Sequence, residues 1–281
     1  MAKVLSEKDR KLKARLEQAL QNKDTTMFSR GRRIFGLLPS DPRCTSCMAP
    51  FEGWGGNVVR SVLNIKRSTI NPLVCSQCED VVRRLEYGAE VEMSMVFADI
   101  RGSTTLAEKM SPTEFKELIN KFYNRSTHVL VHSLAVIDKL VGDEVSGYFL
   151  PVYAGKEYVL RAIKAAEKIL QVTGHQDPEG PWAPVGVGVH AGRAYYGAVS
   201  SSDGLVELTA LGDAVNTASR LATHAAAGEI IVSSTAFDQT GIDPSNLEKR
   251  TLGLKGKADP LDVWVIRVMN TSQAGGLPAD Y

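Results

Sequence analysis

Val91–Thr104 reads VEMSMVFADIRGST, and further along Lys139–Glu144 reads KLVGDE. The first stretch opens with a run apolar enough for a central strand, residues 91–99, which ends on Asp99. A turn containing Gly102 follows and leads into a helix. The second stretch places Gly142-Asp143 between two short apolar runs within residues 134–150, the pattern of a hairpin with a tight turn. Between them, Ser111-Pro112-Thr113-Glu114 is a helix start, with Ser at the N-cap, Pro at the first helical position and Glu two residues later. That helix is expected to run to about His132. Further helices are predicted over 156–171 and 214–224. Further strands are predicted over 184–199, 205–210, 229–233, 248–254 and 261–268. Strand and helix alternate, so the fold class is α/β (α+β) with a mixed sheet.

Working outward, the chain has 281 residues, 43% of them hydrophobic and 23% charged, enough for one or two domains with a real core. This composition excludes collagen-like, disordered and disulfide-dense chains. No run approaches the ~20 apolar residues of a membrane span, and the N-terminus has no secretory h-region. A cytoplasmic location and no membrane partner are expected. The predicted organisation is an N-terminal helix (1–29, with Leu5, Leu12, Leu16 and Leu20 in a narrow stripe), a four-cysteine module (30–80), a linker helix (81–90), the α/β domain (91–270) and a flexible tail (271–281). Residues 1–90 carry a net charge of +6 and residues 91–281 a net charge of −5. The acidic part must meet an anionic substrate through local cations or metal ions. The basic part reads as a solvated face, and no nucleic-acid partner is expected.

All four cysteines lie in residues 30–80, as Cys44-x-x-Cys47 and Cys75-x-x-Cys78. Two such pairs supply four thiolates, which suits one structural Zn²⁺; an iron–sulfur centre, redox-active thiols and unmetallated cysteines are the alternatives. The segment shows no helical period and no clear apolar core, so a metal staple is expected to hold it together.

Asp99 at a strand end and Asp143 at a neighbouring hairpin tip can hold two Mg²⁺ or Mn²⁺ ions side by side, an arrangement that suits phosphoryl chemistry. Arg101, Gly102, Ser103 and Thr104 form the turn whose N–H groups can cradle phosphate oxygens. Asn216 and Arg220, at i and i+4, present an amide and a guanidinium on one helix face. His190 reads as a packing or hydrogen-bonding residue, His128 and His132 as a helix-surface pair, and Trp54 and Trp182 as loop anchors.

The set FADIRGST (97–104), DKLVGDE (138–144), GVGVHAGRAYYG (186–197), ALGDAVNTASRL (210–221) and LKGK (254–257) resembles the class III nucleotide cyclase catalytic domain. The resemblance covers about residues 90–268. It implies a ferredoxin-like core, two metal ions and active sites built between two catalytic domains, hence a homodimer. Residue by residue it implies metal ligands at Asp99, Asp143 and the Ile100 carbonyl. It implies base readers at Lys139 and Thr209, ribose and transition-state contacts at Asn216 and Arg220, and a terminal-phosphate contact at Lys255. Lys139 donating to adenine N1 and Thr209 accepting from N6 favour ATP over guanylate, although many adenylate cyclases carry Asp where Thr209 stands. Some members of the subgroup with Thr there respond to bicarbonate. The resulting expectation is an adenylate cyclase making cyclic AMP, with residues 1–90 answering an unidentified signal or regulatory partner. The rival readings are a catalytically weak nucleotide-binding module and a cyclase output of a nucleic-acid-binding zinc module.

Overall fold

A computed structural model of the chain describes residues 34–39, 42–45, 47–68, 72–84, 88–200, 206–257 and 259–268, with isolated positions between 7 and 20. The expected N-terminal helix, apart from those positions, and the expected tail lie outside the described residues. In chain order the elements are α1 (Gly53–Leu63), α2 (Ser76–Arg84), β1 (Gly88–Ile100), α3 (Ser103–Lys109), α4 (Pro112–His132), β2 (Val136–Val141), β3 (Glu144–Phe149), α5 (Pro151–Ala154), α6 (Tyr158–Val172), β4 (Val185–Ser200), β5 (Val206–Leu211), α7 (Asp213–His224), β6 (Glu229–Ser233), α8 (Ser234–Phe237), β7 (Glu248–Leu252) and β8 (Leu261–Arg267). The chain forms two compact units: residues 1–92, 150–155 and 194–211, and residues 93–149, 156–193 and 212–281.

In the second unit the strands run in the order β2-β3-β1-β4-β6-β8-β7. β3 is antiparallel to both β1 and β2, β4 and β6 are parallel, and β8 is antiparallel to β6 and β7. The first four strands, connected through α4 and α6, make the βαββαβ order of a ferredoxin-like core. α4 starts where its sequence says. Glu114 N–H donates to Ser111 Oγ at 3.3 Å, Ser111 N–H donates to Glu114 Oε2 at 2.8 Å, and Pro112 sits at the first helical position. Phe122, Tyr148, Ile163, Ile169, Val187, Val232 and Ile266 fill the core of this unit. Gly188 on β4 lets α7 lie directly on the sheet. A Cβ there would stand 2.3 Å from Ala222 N and 2.4 Å from Ala218 O, so any side chain would force the helix away.

In the first unit β5 pairs antiparallel with the outer half of β4, from Tyr195 opposite Leu211 to Ser200 opposite Val206. The cysteine segment differs from its expectation in two ways. It contains the helix α1, whose Gly53-Trp54-Gly55-Gly56 start hides any helical period. It also has an apolar core, in which Ala49, Phe51, Val59, Ile65 and Val74 cluster with the four cysteines. The expected linker helix begins earlier, at Ser76 inside the second cysteine pair, and strand has replaced it by Gly88.

Ser126 on α4 is fully buried, and its Oγ has no hydrogen-bond partner among the described residues. An unpaired buried hydroxyl costs roughly 1–3 kcal/mol, and Ala is the better helix former. Ser126→Ala is expected to raise the unfolding free energy by about 1 kcal/mol, read from the urea midpoint at unchanged slope. A lower midpoint would show that the hydroxyl is satisfied.

Candidate active site and metal centre

Strand pairing brings together the backbones that carry the two acids. Asp99 near the end of β1 stands opposite Glu144 at the start of β3, and Ile100 N–H donates to the Asp143 carbonyl at 3.2 Å. The Gly142–Asp143 turn is fixed from α4, where Tyr123 Oη donates to the Gly142 carbonyl at 2.7 Å. Arg101 folds back over the acids. Its Nη2 pairs with the Asp99 carboxylate and its Nη1 donates to the Thr223 carbonyl at 3.0 Å. Burial lowers the Arg101 pKa, while Asp143 and Glu144 pull it back up. Burial and then Asp143 push the Glu144 carboxyl above its usual range, and the same two causes raise Tyr123. This corner collects positive charge. It fits divalent cations by the chemistry of its donors: hard carboxylate oxygens and the Ile100 carbonyl.

Gly102 caps α3, so Ser103 and Thr104 stand in the first turn, where backbone N–H groups have no intrahelical acceptor. Lys139 lies in a β-bulge. The pairing of β2 with β3 shifts between Ile137 and Leu140, so Asp138 and Lys139 together face Ser146.

The second cluster sits on α7, which carries Asn216 and Arg220. The turn Leu254–Lys257 comes up beside it. A Cβ built on Gly256 would lie 3.5 Å from Arg220 Nη2, and Lys257 pairs with Asp213 at the start of the helix. Lys255 stands exposed in the same turn. Thr209 belongs to the first unit, buried on β5 opposite Gly197.

Residues 86–267 match the family described as the adenylate and guanylate cyclase catalytic domain. The chain belongs to this family. It is 28% identical over 199 residues to adenylate cyclase 1 of Rhizobium meliloti, a match covering 66% of this chain and 29% of that protein. It is 27% identical over 209 residues to the receptor-type guanylate cyclase gcy-13 of Caenorhabditis elegans, covering 69% and 20%. The match thus spans under a third of these relatives. The fold is similar to the crystal structure of the adenylyl cyclase CyaB from P. aeruginosa, with a TM-score of 0.56 at 21% identity over 66% of this chain and 99% of that one. It is also similar to the guanylate cyclase domain of RhGC from Catenaria anguillulae in complex with GTP, with a TM-score of 0.54 at 20% identity over 63% and 97%. Both base names occur among the relatives, so the match gives a class III nucleotide cyclase domain, a lyase, without choosing the base.

Around the cyclase domain's site, His190 Nδ1 shares a hydrogen bond of 2.7 Å with Ser233 Oγ, which agrees with a hydrogen-bonding role. His132 Nδ1 donates to the His128 carbonyl at 2.7 Å on the helix surface. Trp182 Nε1 donates to the Val172 carbonyl at 3.1 Å, with Lys121 Nζ 4.0 Å from its ring centroid, and so anchors its loop. Trp54 does not: it lies on α1 and is 66% exposed. Sequence reasoning passed over Glu144, Tyr123, Asp213 and Lys257. Glu144, Asp213 and Lys257 stand inside quoted motifs, but nothing local marks Tyr123.

The cysteine module begins before the matched region. All four sulfurs lie within 4.8 Å of one another, with Cys44 Sγ to Cys78 Sγ at 3.9 Å and Cys47 Sγ to Cys75 Sγ at 3.7 Å. These are free thiols, not disulfides. The Cys44 sulfur accepts from the N–H of Cys75 at 3.3 Å and of Cys47 at 3.5 Å. Hydrogen bonds from the other three thiols, Cys47 foremost, hold the Cys44 thiol far below the usual range. The cluster is competent to hold a metal ion. Among the described residues no helix is long and apolar enough to cross a membrane.

Burial, and then Lys257, lower His190 from 6.5 to about 4. The folded imidazole resists a proton that the unfolded chain accepts. Its contribution is therefore whole above about pH 6.5 and is lost as pH falls toward 4. Relative to His190→Gln, the unsubstituted protein is expected to lose roughly 2 kcal/mol of unfolding free energy between pH 7.5 and pH 5. Urea titrations at the two pH values measure this. Parallel behaviour of the two proteins would mean that the folded imidazole protonates freely.

Proposed function

We propose that the chain is an adenylate cyclase, converting ATP to 3′,5′-cyclic AMP and pyrophosphate at sites completed by a second copy of itself. The observation that carries this reading is the pairing of β1 with β3, which sets Asp99 beside the Asp143 turn in a chain of this family. The base choice rests on donor polarity. Lys139 donates to adenine N1 and the Thr209 hydroxyl accepts from N6, whereas guanine N1–H would meet the Lys139 ammonium donor to donor. Such an unmatched pair costs about 1–3 kcal/mol.

Asp99, Asp143 and the Ile100 carbonyl would hold two Mg²⁺ or Mn²⁺ ions. When bound, these supply Lewis acidity toward the ribose 3′-hydroxyl and the triphosphate. The 3′-oxygen bonds to the α-phosphorus as the bond to pyrophosphate breaks, and the hydroxyl proton leaves to solvent. Arg220 meets the charge that grows on the α-phosphoryl oxygens, because its guanidinium stays charged and its fork spans two oxygens. Asn216 orients the ribose. Lys255 and the N–H groups after Arg101 draw on the phosphates. Arg101, which pairs with Asp99, would yield that carboxylate to bound metal ions.

Two features support composite sites. Leu140 and Val141 on the edge strand β2 are exposed in the second unit, as are Val199 and Leu211 on the β4–β5 pair in the first. A second copy of the chain would cover such apolar surface.

Purified protein given ATP or GTP with Mg²⁺ or Mn²⁺ is expected to yield cyclic AMP from ATP, at least tenfold faster than cyclic GMP from GTP, as read by mass spectrometry. Cyclic GMP alone would overturn the base choice, and no cyclic product would overturn the cyclase. Asp99→Ala or Asp143→Ala is expected to abolish turnover, and Arg220→Ala to lower kcat about a hundredfold with KM little changed. Mixing inactive Asp143 and Arg220 variants should restore about a quarter of the activity, since half the dimers are hybrids with one intact site each. No recovery would rule out shared sites.

For the cysteines, structural zinc is the reading the spacing supports. Four thiolates about 2.3 Å from a tetrahedral ion stand about 3.8 Å apart, close to the separations of 3.7 and 3.9 Å here. An iron–sulfur cluster would push its cysteines apart with its own atoms. Elemental analysis is expected to find about one zinc per chain, with none retained in Cys44→Ser/Cys75→Ser. Iron with inorganic sulfide, or no metal, would overturn this.

A further inference from the structure

The turn Leu254–Lys257 is pinned to α7 at both ends. At one end Leu254 is buried in a cluster with Leu221 of that helix, Ala225 just past its end, and Ile231 and Val263 of the sheet. At the other, Lys257 Nζ pairs with Asp213 Oδ2, while Lys257 N–H donates to the Leu254 carbonyl at 3.0 Å and closes the turn. Between the two anchors lie Lys255, exposed, and Gly256. Gly256 has φ +78°, and the Arg220 guanidinium rests over it. Asp213 is the first residue of α7, where a carboxylate is favoured by the helix dipole. The titratable groups around it are Lys257, whose hydrogen bond lowers the Asp213 pKa, Arg220, and His190, which is uncharged near pH 7.

From this geometry we propose that Asp213 and Lys257 are positioning residues: their ion pair clamps the Lys255–Gly256 turn onto α7, so that Lys255 and Arg220 face one phosphate chain at a fixed spacing. The inference rests on the nucleotide-cyclising reading of the site. The pair touches no reacting atom. It acts by holding two cations that repel each other, and by occupying the carboxylate that would otherwise draw Arg220 from its task. Leu254 keeps the turn near the helix when the pair is broken, so the expected effect is loss of register, not loss of the fold.

The test is a double-mutant cycle in the full chain. Asp213→Asn and Lys257→Gln are each expected to lower kcat for ATP about three- to fivefold, the scale of an exposed ion pair, with melting temperature unchanged because the Asp213 side chain is 74% exposed. The double variant should be no slower than either single one, and Lys257→Arg should keep at least half the activity. Hydrogen exchange at the amides of residues 254–257 should quicken about fivefold in each neutral variant. Losses that multiply in the double variant, unchanged kcat in both single variants, or unchanged exchange would overturn the clamp. If the unsubstituted protein forms no cyclic nucleotide, it is the reading of the site that fails, and the exchange measurement alone then decides the clamp.

Discussion

The β1–β3 ladder brings the backbones at Asp99 and Asp143 together, and carboxylates at such neighbouring positions repel. The hydrogen bond from Ile100 to the Asp143 carbonyl fixes one backbone to the other, and Tyr123 fixes the turn from the helix behind. A site built this way demands positive charge. Arg101 supplies positive charge there, bent back onto Asp99 and anchored to Thr223. The arrangement explains how a fold can keep two acids close without paying with disorder: a guanidinium is a weaker, more easily displaced partner than a divalent ion.

The opposing charge lies on α7, and here the constraint is steric. β4 carries glycine at position 188, and the helix backbone comes within a few ångströms of where its Cβ would be. The helix axis is therefore set by contact with the sheet, and Asn216 and Arg220 inherit a fixed position from it. The turn around Gly256 depends on the same helix, through Leu254 on the apolar side and Lys257 on the ionic side. Acidic and basic halves are thus each made rigid by a backbone contact that no longer side chain would permit or that a strand ladder enforces.

How much of this was legible in the sequence follows from how local each cause is. The start of α4 is a local cause, since Ser111, Pro112 and Glu114 cap the helix among themselves, and it reads off directly. The hairpin around Gly142 and the strand Glu229–Ser233 also follow from short patterns. α1 does not, because Gly55 and Gly56 have poor helix propensity and the helix is fixed by packing of Val59 against the cysteine core. The bulge at Asp138–Lys139 was invisible because alternation in a six-residue strand does not reveal an extra residue. Tyr123 and the Asp213–Lys257 pair escaped for the same reason: each joins residues distant in sequence, and only the folded chain places them together.

The cysteine module makes the same point in a smaller volume. Five apolar side chains around four sulfurs form a core, yet a core of that size supplies little against the entropy of ordering the surrounding loops. Backbone N–H groups aimed at Cys44 favour charge on that sulfur, in a buried cluster of four thiols where unpaired charge is expensive. A cation at the centre would reconcile those two tendencies, and the four-cysteine cluster is competent to hold one. The packing that brings the four sulfurs together would then also favour a metal ion among them, and the loops around Cys44 and Cys75 would gain order from it.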